Sequence, residues 1–581
     1  MCGIAGLLMS RGGPPPAPDR LAALGRALAH RGPDGSGQVI AGQVGLVHTR
    51  LAIIDLATGD QPFTAGPATL IANGEIYNFR ELAAAHPAPF ATGCDCEVPL
   101  HLYLEMGARF PDLLRGMYAL AVHDRASGET LLARDRFGIK PLYTARIDGG
   151  LAFASEPAAL LATGLVPRTL HARARAELLQ LQFTTGSSTI FTGIDRVLPG
   201  ETLRIAEGRV IARDHLPRLP CGEIRHDPDA ALARLDAALM RSVDLHQRSD
   251  VPYGLFLSGG IDSAVILAAM ARLNTQPVLA FTAGWDVPGA ADERDAAAAT
   301  ARAAGARHET IEITQAMVWR HLPQIVAAMD DPAADYAIIP SWFLARHARE
   351  QVKVVLSGEG GDEVFAGYGR YRSALRPVWL GGRAMRRRGT FDGLDVLRLP
   401  LGGWRDGIAA AEAAAHDQGR LRAAQATDMT DWLPHDLLLK LDRCLMAHGV
   451  EGRTPFLDPD VLEAGFCLPD RLKIRDGQGK YLLRRWLEGA LPACRPFAPK
   501  QGFTVPIAAW IEAVGGRLGP LVAAQPGIAE IAAPDRVRAL FARAGRHRHG
   551  FAAWTLLFYA LWHRAHIEGR ATHGDVFEVL A

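Results

Sequence analysis

The chain has 581 residues, enough for more than one domain, and its 49% apolar and 22% charged content is that of an ordinary globular protein. With 63 basic against 62 acidic residues, charge gives no reason to expect nucleic acid or an anionic membrane as a partner. No apolar run approaches the ~18 residues of a bilayer span, and no charged region precedes an apolar one at the start, which argues against a secretory leader and for a cytoplasmic protein. The seven cysteines are scattered without a paired C-x-x-C, against both a disulfide framework and a structural zinc site; Cys94-Asp95-Cys96, the one close pair, has no second half to complete a tetrahedron.

The chain opens Met1-Cys2-Gly3-Ile4. Loss of Met1 would leave Cys2 with a thiol and an α-amine on one residue, and an amine of pKa ~7.7–8.0 is neutral often enough to take the thiol proton. Alone, such a start is as well explained by a small residue at a frayed end. Stretches 21–29 and 97–106 carry helical periodicity. Short apolar segments at 45–48, 51–54, 69–72, 119–123 and 151–154, bounded by Gly, Asp and Pro, predict antiparallel strands. Residues 205–230 mix Gly, Pro and charge and make the best candidate linker.

A helical run at 229–247 leads into Leu255-Phe256-Leu257-Ser258-Gly259-Gly260-Ile261-Asp262-Ser263, an apolar strand, a Gly-Gly turn and a helix starting near Asp262. Backbone N–H groups in such a turn, backed by a helix N-terminus, can cradle phosphate oxygens, although Gly-Gly between strand and helix is, taken alone, as well explained by an ordinary turn. No Lys closes the loop, so it is not the common NTPase phosphate loop. Strands at 278–283 and 352–356 alternate with helical patterns at 292–304 and 340–350, predicting a parallel sheet covered on both faces. Ligands of such sheets sit at the carboxyl ends of strands, where the second motif, Ser357-Gly358-Glu359-Gly360-Gly361-Asp362-Glu363, also falls. Glu363 stands where a dinucleotide fingerprint needs its third Gly, and the acidic pair 362–363 has a competing reading as helix N-terminal charge. The basic run 383–388 reads as solvated, and 551–566 as a capped amphipathic helix whose His563 and His566 alone complete no metal site.

Several motifs carry a resemblance. L-A-H-R-G-P-D-G-S-G at 28–37, H-T-R-L-A-I-I-D at 48–55, A-N-G-E-I-Y-N at 72–78, G-C-D-C-E at 93–97 and A-R-D-R-F-G-I-K-P-L-Y at 133–143 follow one another in order. Over about residues 2–215 the chain resembles the glutaminase domain of class II amidotransferases, in particular of glutamine-dependent asparagine synthetases. The S-G-G-x-D-S loop resembles the pyrophosphate loop of ATP pyrophosphatases, and the match continues at 330–336, 436–443, 446–458 and 499–507.

The resemblance implies two domains. Residues 1–215 would form an α+β four-layer (α/β/β/α) N-terminal-nucleophile amidohydrolase fold, 216–230 a linker, and 231–581 an α/β parallel-sheet ATP-pyrophosphatase fold with added helices. It implies Cys2 as nucleophile, Asn73 and the Gly74 N–H as oxyanion donors, Arg50 on the glutamine α-carboxylate, and Asp95 on its α-ammonium with Glu75 lining the pocket. ATP would be held by Phe256, Ser258, Gly259, Gly260, Asp262, Ser263, Ala283, Ser357, Gly358 and Lys500, with Mg2+ on Asp262 and Asp362. Glu359 would accept a proton as ammonia attacks an acyl-adenylate. Glutamine, aspartate and ATP are the implied small-molecule partners; another carboxylate, on a cell-wall or exopolysaccharide precursor, and a non-catalytic homologue are the alternatives, the intact Cys2 counting against β-lactam-forming relatives. Oligomeric state is open, a homodimer being one outcome because relatives often pair through the N-terminal domain. Two departures stand out: Cys94 and Cys96 flank Asp95 where Thr or Ser is usual, and Cys444-Leu445-Met446-Ala447 replaces a usual Ser-Met-Ala.

Overall fold

A computed structural model describes residues 2–581 except 87–88, 218, 221, 223–226, 288–291, 377–378, 380–383, 399–400 and 499–504. The N-terminal half holds β1 (Gly3–Met9), β2 (Gly35–Ala41), β3 (Val44–Arg50), β4 (Phe63–Ala65), β5 (Ala68–Ile76), β6 (Gly116–Asp124), β7 (Glu129–Arg134), β8 (Tyr143–Ile147), β9 (Gly150–Ala154), β10 (Ile194–Arg196), β11 (Glu201–Ala206) and β12 (Arg209–His215). They make two antiparallel sheets, in the orders β10-β8-β9-β1-β3-β2 and β12-β11-β7-β6-β5-β4.

Period-two alternation sorts their side chains. Ile4, Leu8, Leu46, Ile71, Ala119, Leu132 and Phe153 fill the space between the sheets. Their neighbours Ala5, Leu7 and Val47 turn outward onto Leu21, Leu24 and Leu28 of the helix Pro18–Leu28, and Leu70 and Ala72 onto Leu100 and Leu102 of the helix Val98–Met106. The result is the expected helix–sheet–sheet–helix layering.

Two expectations fail locally. Residues 51–54 are not a strand: Leu51, Ile53 and Ile54 leave the end of β3 as a loop, and their apolar side chains are buried in the core of the second half, beside Leu255 and Leu257. The first part of the linker candidate is instead the β11–β12 hairpin, whose turn residues Glu207 and Gly208 lie at φ 50° and 68°.

In the second half, β13 (Tyr253–Phe256), β14 (Leu279–Trp285), β15 (Arg307–Ile313), β16 (Val354–Leu356) and β17 (Glu451–Arg453) form one parallel sheet in the order β15-β14-β13-β16-β17. The strand order therefore reverses between β13 and β16, and a doubly wound sheet opens its ligand crevice at that point. The helix His547–His566 is not amphipathic. Residues 552–563 are all buried and no side chain caps its N-terminus, so it is apolar all round because it lies in the core. His563 pairs with Glu568 at 3.1 Å, and burial draws His566 down to about 4. Nor is the basic run wholly solvated: the Arg386 guanidinium lies 3.8 Å from the centre of the Trp432 ring, whereas Arg383 is outside the described residues.

Candidate active sites

The alternation that fills the inter-sheet space also builds the first site. Cys2 shares the parity of Ile4, Arg50 that of Leu46, and Asn73 and Glu75 that of Ile71, so four side chains converge where the apolar filling stops. Cys2 N donates to Asn73 Oδ1 at 3.1 Å. That leaves Asn73 Nδ2 buried without a partner among the described residues, a donor in waiting of the kind an oxyanion uses. Gly74 lies against β6 so closely that a Cβ would stand 2.2 Å from Met117 O, which excludes any larger residue.

Arg50 is held by Asp60 at 2.8 Å and by the Asp55 carbonyl. Asp95, on the turn before the helix Val98–Met106, accepts from Ile76 N at 2.7 Å, and burial raises its carboxyl. Burial also pushes the Cys2 thiol up to about 11, so nucleophilic use requires a base or cation beside it. Glu75 does not stand alone in this pocket. Its Oε2 lies 3.3 Å from Nη2 of Arg453 on β17, which also binds Glu451 at 2.6 Å. This wall of the first site is thus closed by the edge strand of the second sheet, a partner that sequence reasoning did not single out.

The second site occupies the switch point. After β13, Ser263 Oγ accepts from Ser258 N at 3.1 Å and Ser258 Oγ from Gly260 N at 3.1 Å, tying the loop into a tight turn. Phe256 ends β13, and Ala283 lies on the adjacent β14. After β16, Gly358 and Gly361 press on the first loop: a Cβ on either would come within 2.8 Å of Asp262. Ser357 N is fixed by the Arg453 carbonyl at 2.8 Å.

Asp262 and Asp362 converge on one cation, Lys480 Nζ, at 2.6 Å each. Lys480 escaped the sequence reading because it lies 218 residues from Asp262; its only local signal is the D-G-Q-G-K turn, where it holds φ 60°. Glu293, also missed, accepts from Gly259 N at 3.0 Å. Glu359 is raised by burial and lies 3.9 Å from Lys440, whose main partner is Asp335 at 2.9 Å. Glu363 does not act as a helix-terminal charge. Burial, then the neighbouring Asp362, lifts it to about 8, and it accepts from Tyr368 OH at 2.7 Å. Lys500 lies outside the described residues.

One buried helix, Leu438–Met446, runs between the two sites. Its Lys440 faces Glu359, while its Asp442 takes both Nη atoms of Arg31, at 2.8 and 3.1 Å. Arg31 in turn donates from Nε to the Cys2 carbonyl at 3.1 Å.

Residues 1–216 match a family described as glutamine amidotransferase domain, and residues 234–564 one described as asparagine synthase. The chain is 36% identical to a putative glutamine-hydrolysing asparagine synthetase of Mycobacterium tuberculosis (strain ATCC 25618 / H37Rv), with 98% of each chain covered. It is 31% identical to glutamine-hydrolysing asparagine synthetase 1 of Bacillus subtilis (strain 168), with 94% of each covered. Against asparagine synthetase B of Escherichia coli (strain K12) it is 31% identical, over 84% of this chain and 79% of that one.

Proposed function

The chain belongs to the family of glutamine-hydrolysing asparagine synthetases, and from that premise we propose that it converts aspartate to asparagine with ammonia taken from glutamine. ATP is cleaved to AMP and pyrophosphate through an acyl-adenylate, and glutamate leaves the first site. In this reading residues 1–215 are the glutaminase, 216–230 a linker and 231–581 the synthetase.

The Cys2 thiolate attacks the glutamine carboxamide. Because burial disfavours that thiolate, the α-amine freed by loss of Met1 supplies the base. The unpaired Asn73 Nδ2 and the Gly74 N–H take the oxyanion. Arg50 binds the α-carboxylate; Asp95, with Glu75 beside it, takes the α-ammonium.

In the crevice, Ser258, Gly259, Gly260, Ser263, Ser357 and Gly358 receive the nucleotide phosphates, and Phe256 and Ala283 border the nucleotide. Two carboxylates meeting at a single cation are the oxygen donor set that Mg2+ takes, so Asp262 and Asp362 would hold it, and the bound ion would neutralise phosphate charge. Lys480 adds fixed positive charge beside them, and Lys500, by its motif, would neutralise phosphate charge during adenylation. Glu359, whose buried carboxylate gains stability from binding a proton, accepts one from the attacking ammonia.

The observation that carries the proposal is the helix Leu438–Met446, which touches Glu359 with one residue and, through Arg31, Cys2 with another. The test is incubation with amide-labelled glutamine, ATP and a panel of acids. Label in asparagine, with aspartate-dependent exchange of pyrophosphate into ATP, is the expected result; label in a cell-wall or exopolysaccharide carboxylate, or the absence of exchange with every acid, overturns it. Cys2→Ala abolishes glutamine-dependent synthesis and leaves ammonia-dependent synthesis, whereas loss of both in a folded variant contradicts the division of labour.

A further inference from the structure

The turn that presents Asp95 also presents two sulfurs. Cys94 and Cys96 flank it, all three side chains are buried, and their ligand atoms lie within 4.8 Å of one another, the one such group of three among the described residues. Cys94 Sγ is 3.5 Å from Asp95 Oδ1 and Cys96 Sγ 3.6 Å from Oδ2. A tetrahedral zinc with Zn–S of ~2.3 Å and Zn–O of ~2.1 Å needs a sulfur–oxygen edge of about 3.6 Å. Each sulfur thus already lies at the length of a tetrahedral edge from one oxygen of the carboxylate, and the three ligand atoms fall within 4.8 Å of one another.

The turn itself is rigid. Glu97 accepts from Ala91 N at 2.8 Å and Thr92 N at 2.7 Å, Asp55 accepts from Gly93 N at 2.8 Å, and Thr92 Oγ1 from Cys94 N at 3.1 Å. The cluster also opens on the first site. A Cβ on Gly59 would touch both Arg50 Nη2, at 2.6 Å, and Cys94 Cβ, at 3.2 Å, so one glycine separates the Cys94 side chain from the guanidinium.

We propose that Cys94, Asp95 and Cys96 form a three-ligand site for a thiophilic divalent cation, Zn2+ above all, which occupies the ammonium end of the glutamine pocket and shuts off glutamine hydrolysis. The inhibitory role rests on the glutaminase reading given above; the metal site does not. Such a site is open, because three protein ligands leave a fourth position for water or a passing thiolate, unlike a closed structural tetrahedron. It accommodates the soft sulfur ligands that Mg2+ shuns, so it is distinct from the carboxylate pair in the nucleotide crevice. Binding converts two S–H groups to thiolates and releases two protons to solvent, with no change of oxidation state.

The experiment uses the full-length, metal-stripped protein titrated with Co2+ and then Zn2+. One equivalent of Co2+ should give a thiolate-to-metal charge-transfer band that Zn2+ abolishes and that saturating glutamine suppresses. Cys94→Ser and Cys96→Ser, checked for folding by thermal melting, should lose the band, whereas Cys467→Ser should keep it. Zn2+ should inhibit glutamine-dependent but not ammonia-dependent synthesis, with the inhibitory concentration rising at least about 100-fold in the two variants, the upper end of what loss of even an outer-shell partner costs a metal site. A band that survives in both variants overturns the proposal, and a band that glutamine does not suppress in the unaltered protein overturns it without need of any variant. Glutamine hydrolysis without the band refutes the metal site alone; the band, lost in the variants but present in a protein without glutaminase activity, keeps the site and refutes the glutaminase reading.

Discussion

At the scale of single residues, chemistry follows from which polar atoms are left with nothing to bind. Asn73 is fully buried, its Oδ1 taken by Cys2 N and its Nδ2 without a partner. Asn73→Ala should lower the kcat of glutamine hydrolysis by about 10²–10³-fold, the usual effect of losing one oxyanion donor, and leave ammonia-dependent synthesis intact; a steady-state glutaminase assay reads it directly. Glu363 gives a prediction of opposite character. Its carboxyl titrates near 8 when folded against an ordinary 4.5, so the native state keeps a proton that the unfolded chain gives up. The contribution is fully present below about 4.5 and is lost as pH rises through about 8. Glu363→Gln keeps the acceptor for Tyr368 and cannot ionise, so its melting temperature should match the parent's below about pH 4.5 and exceed it above about pH 8. Equal melting temperatures at both ends would show that Glu363 is solvated.

At the scale of elements, the turns decide what the strands can hold. Gly360 sits at φ 91° between Glu359 and Asp362, and a Cβ there would lie 2.5 Å from Leu457 Cδ2. Gly360→Ala should cost about 1–3 kcal/mol in strain and abolish pyrophosphate exchange, while glutamine hydrolysis persists because that pocket is built on other strands. The same physics explains what the sequence disclosed. Each motif loop follows a strand and precedes a helix, so both could be placed at the carboxyl edge of a parallel sheet before any coordinates. The β11–β12 hairpin was hidden because its two-residue turn, with both residues at positive φ, uses Glu-Gly where Asn-Gly or Asp-Gly would have announced it. Residues 51–54 misled for another reason: their apolar side chains serve an interdomain core, and alternation within one sheet cannot reveal that.

At the scale of the whole molecule, the two halves are joined by charges buried between them, which no local pattern could disclose because the partners are hundreds of residues apart. Asp442 is 411 residues from Arg31. Around this pair, Glu156 binds Arg31 at 2.7 Å, Arg443 binds Asp330 at 2.7 Å, and Arg196 binds Asp331 at 2.6 Å, all at 5% side-chain exposure or less. Burying so many charges is a poor source of stability, since desolvation offsets most of the attraction, but removing one member leaves its partner stranded. Asp442→Asn takes the bidentate carboxylate from Arg31 while keeping the shape of the side chain. It should lower unfolding free energy by about 3–5 kcal/mol, measured by urea titration. Because Arg31 also holds the Cys2 carbonyl, the same change loosens the link between the two sites, and more glutamate should form for each asparagine as ammonia escapes before it is used. A variant that is destabilised yet keeps the parent's ratio of glutamate to asparagine would show that the network only fastens the domains together, and that transfer between the sites does not depend on it.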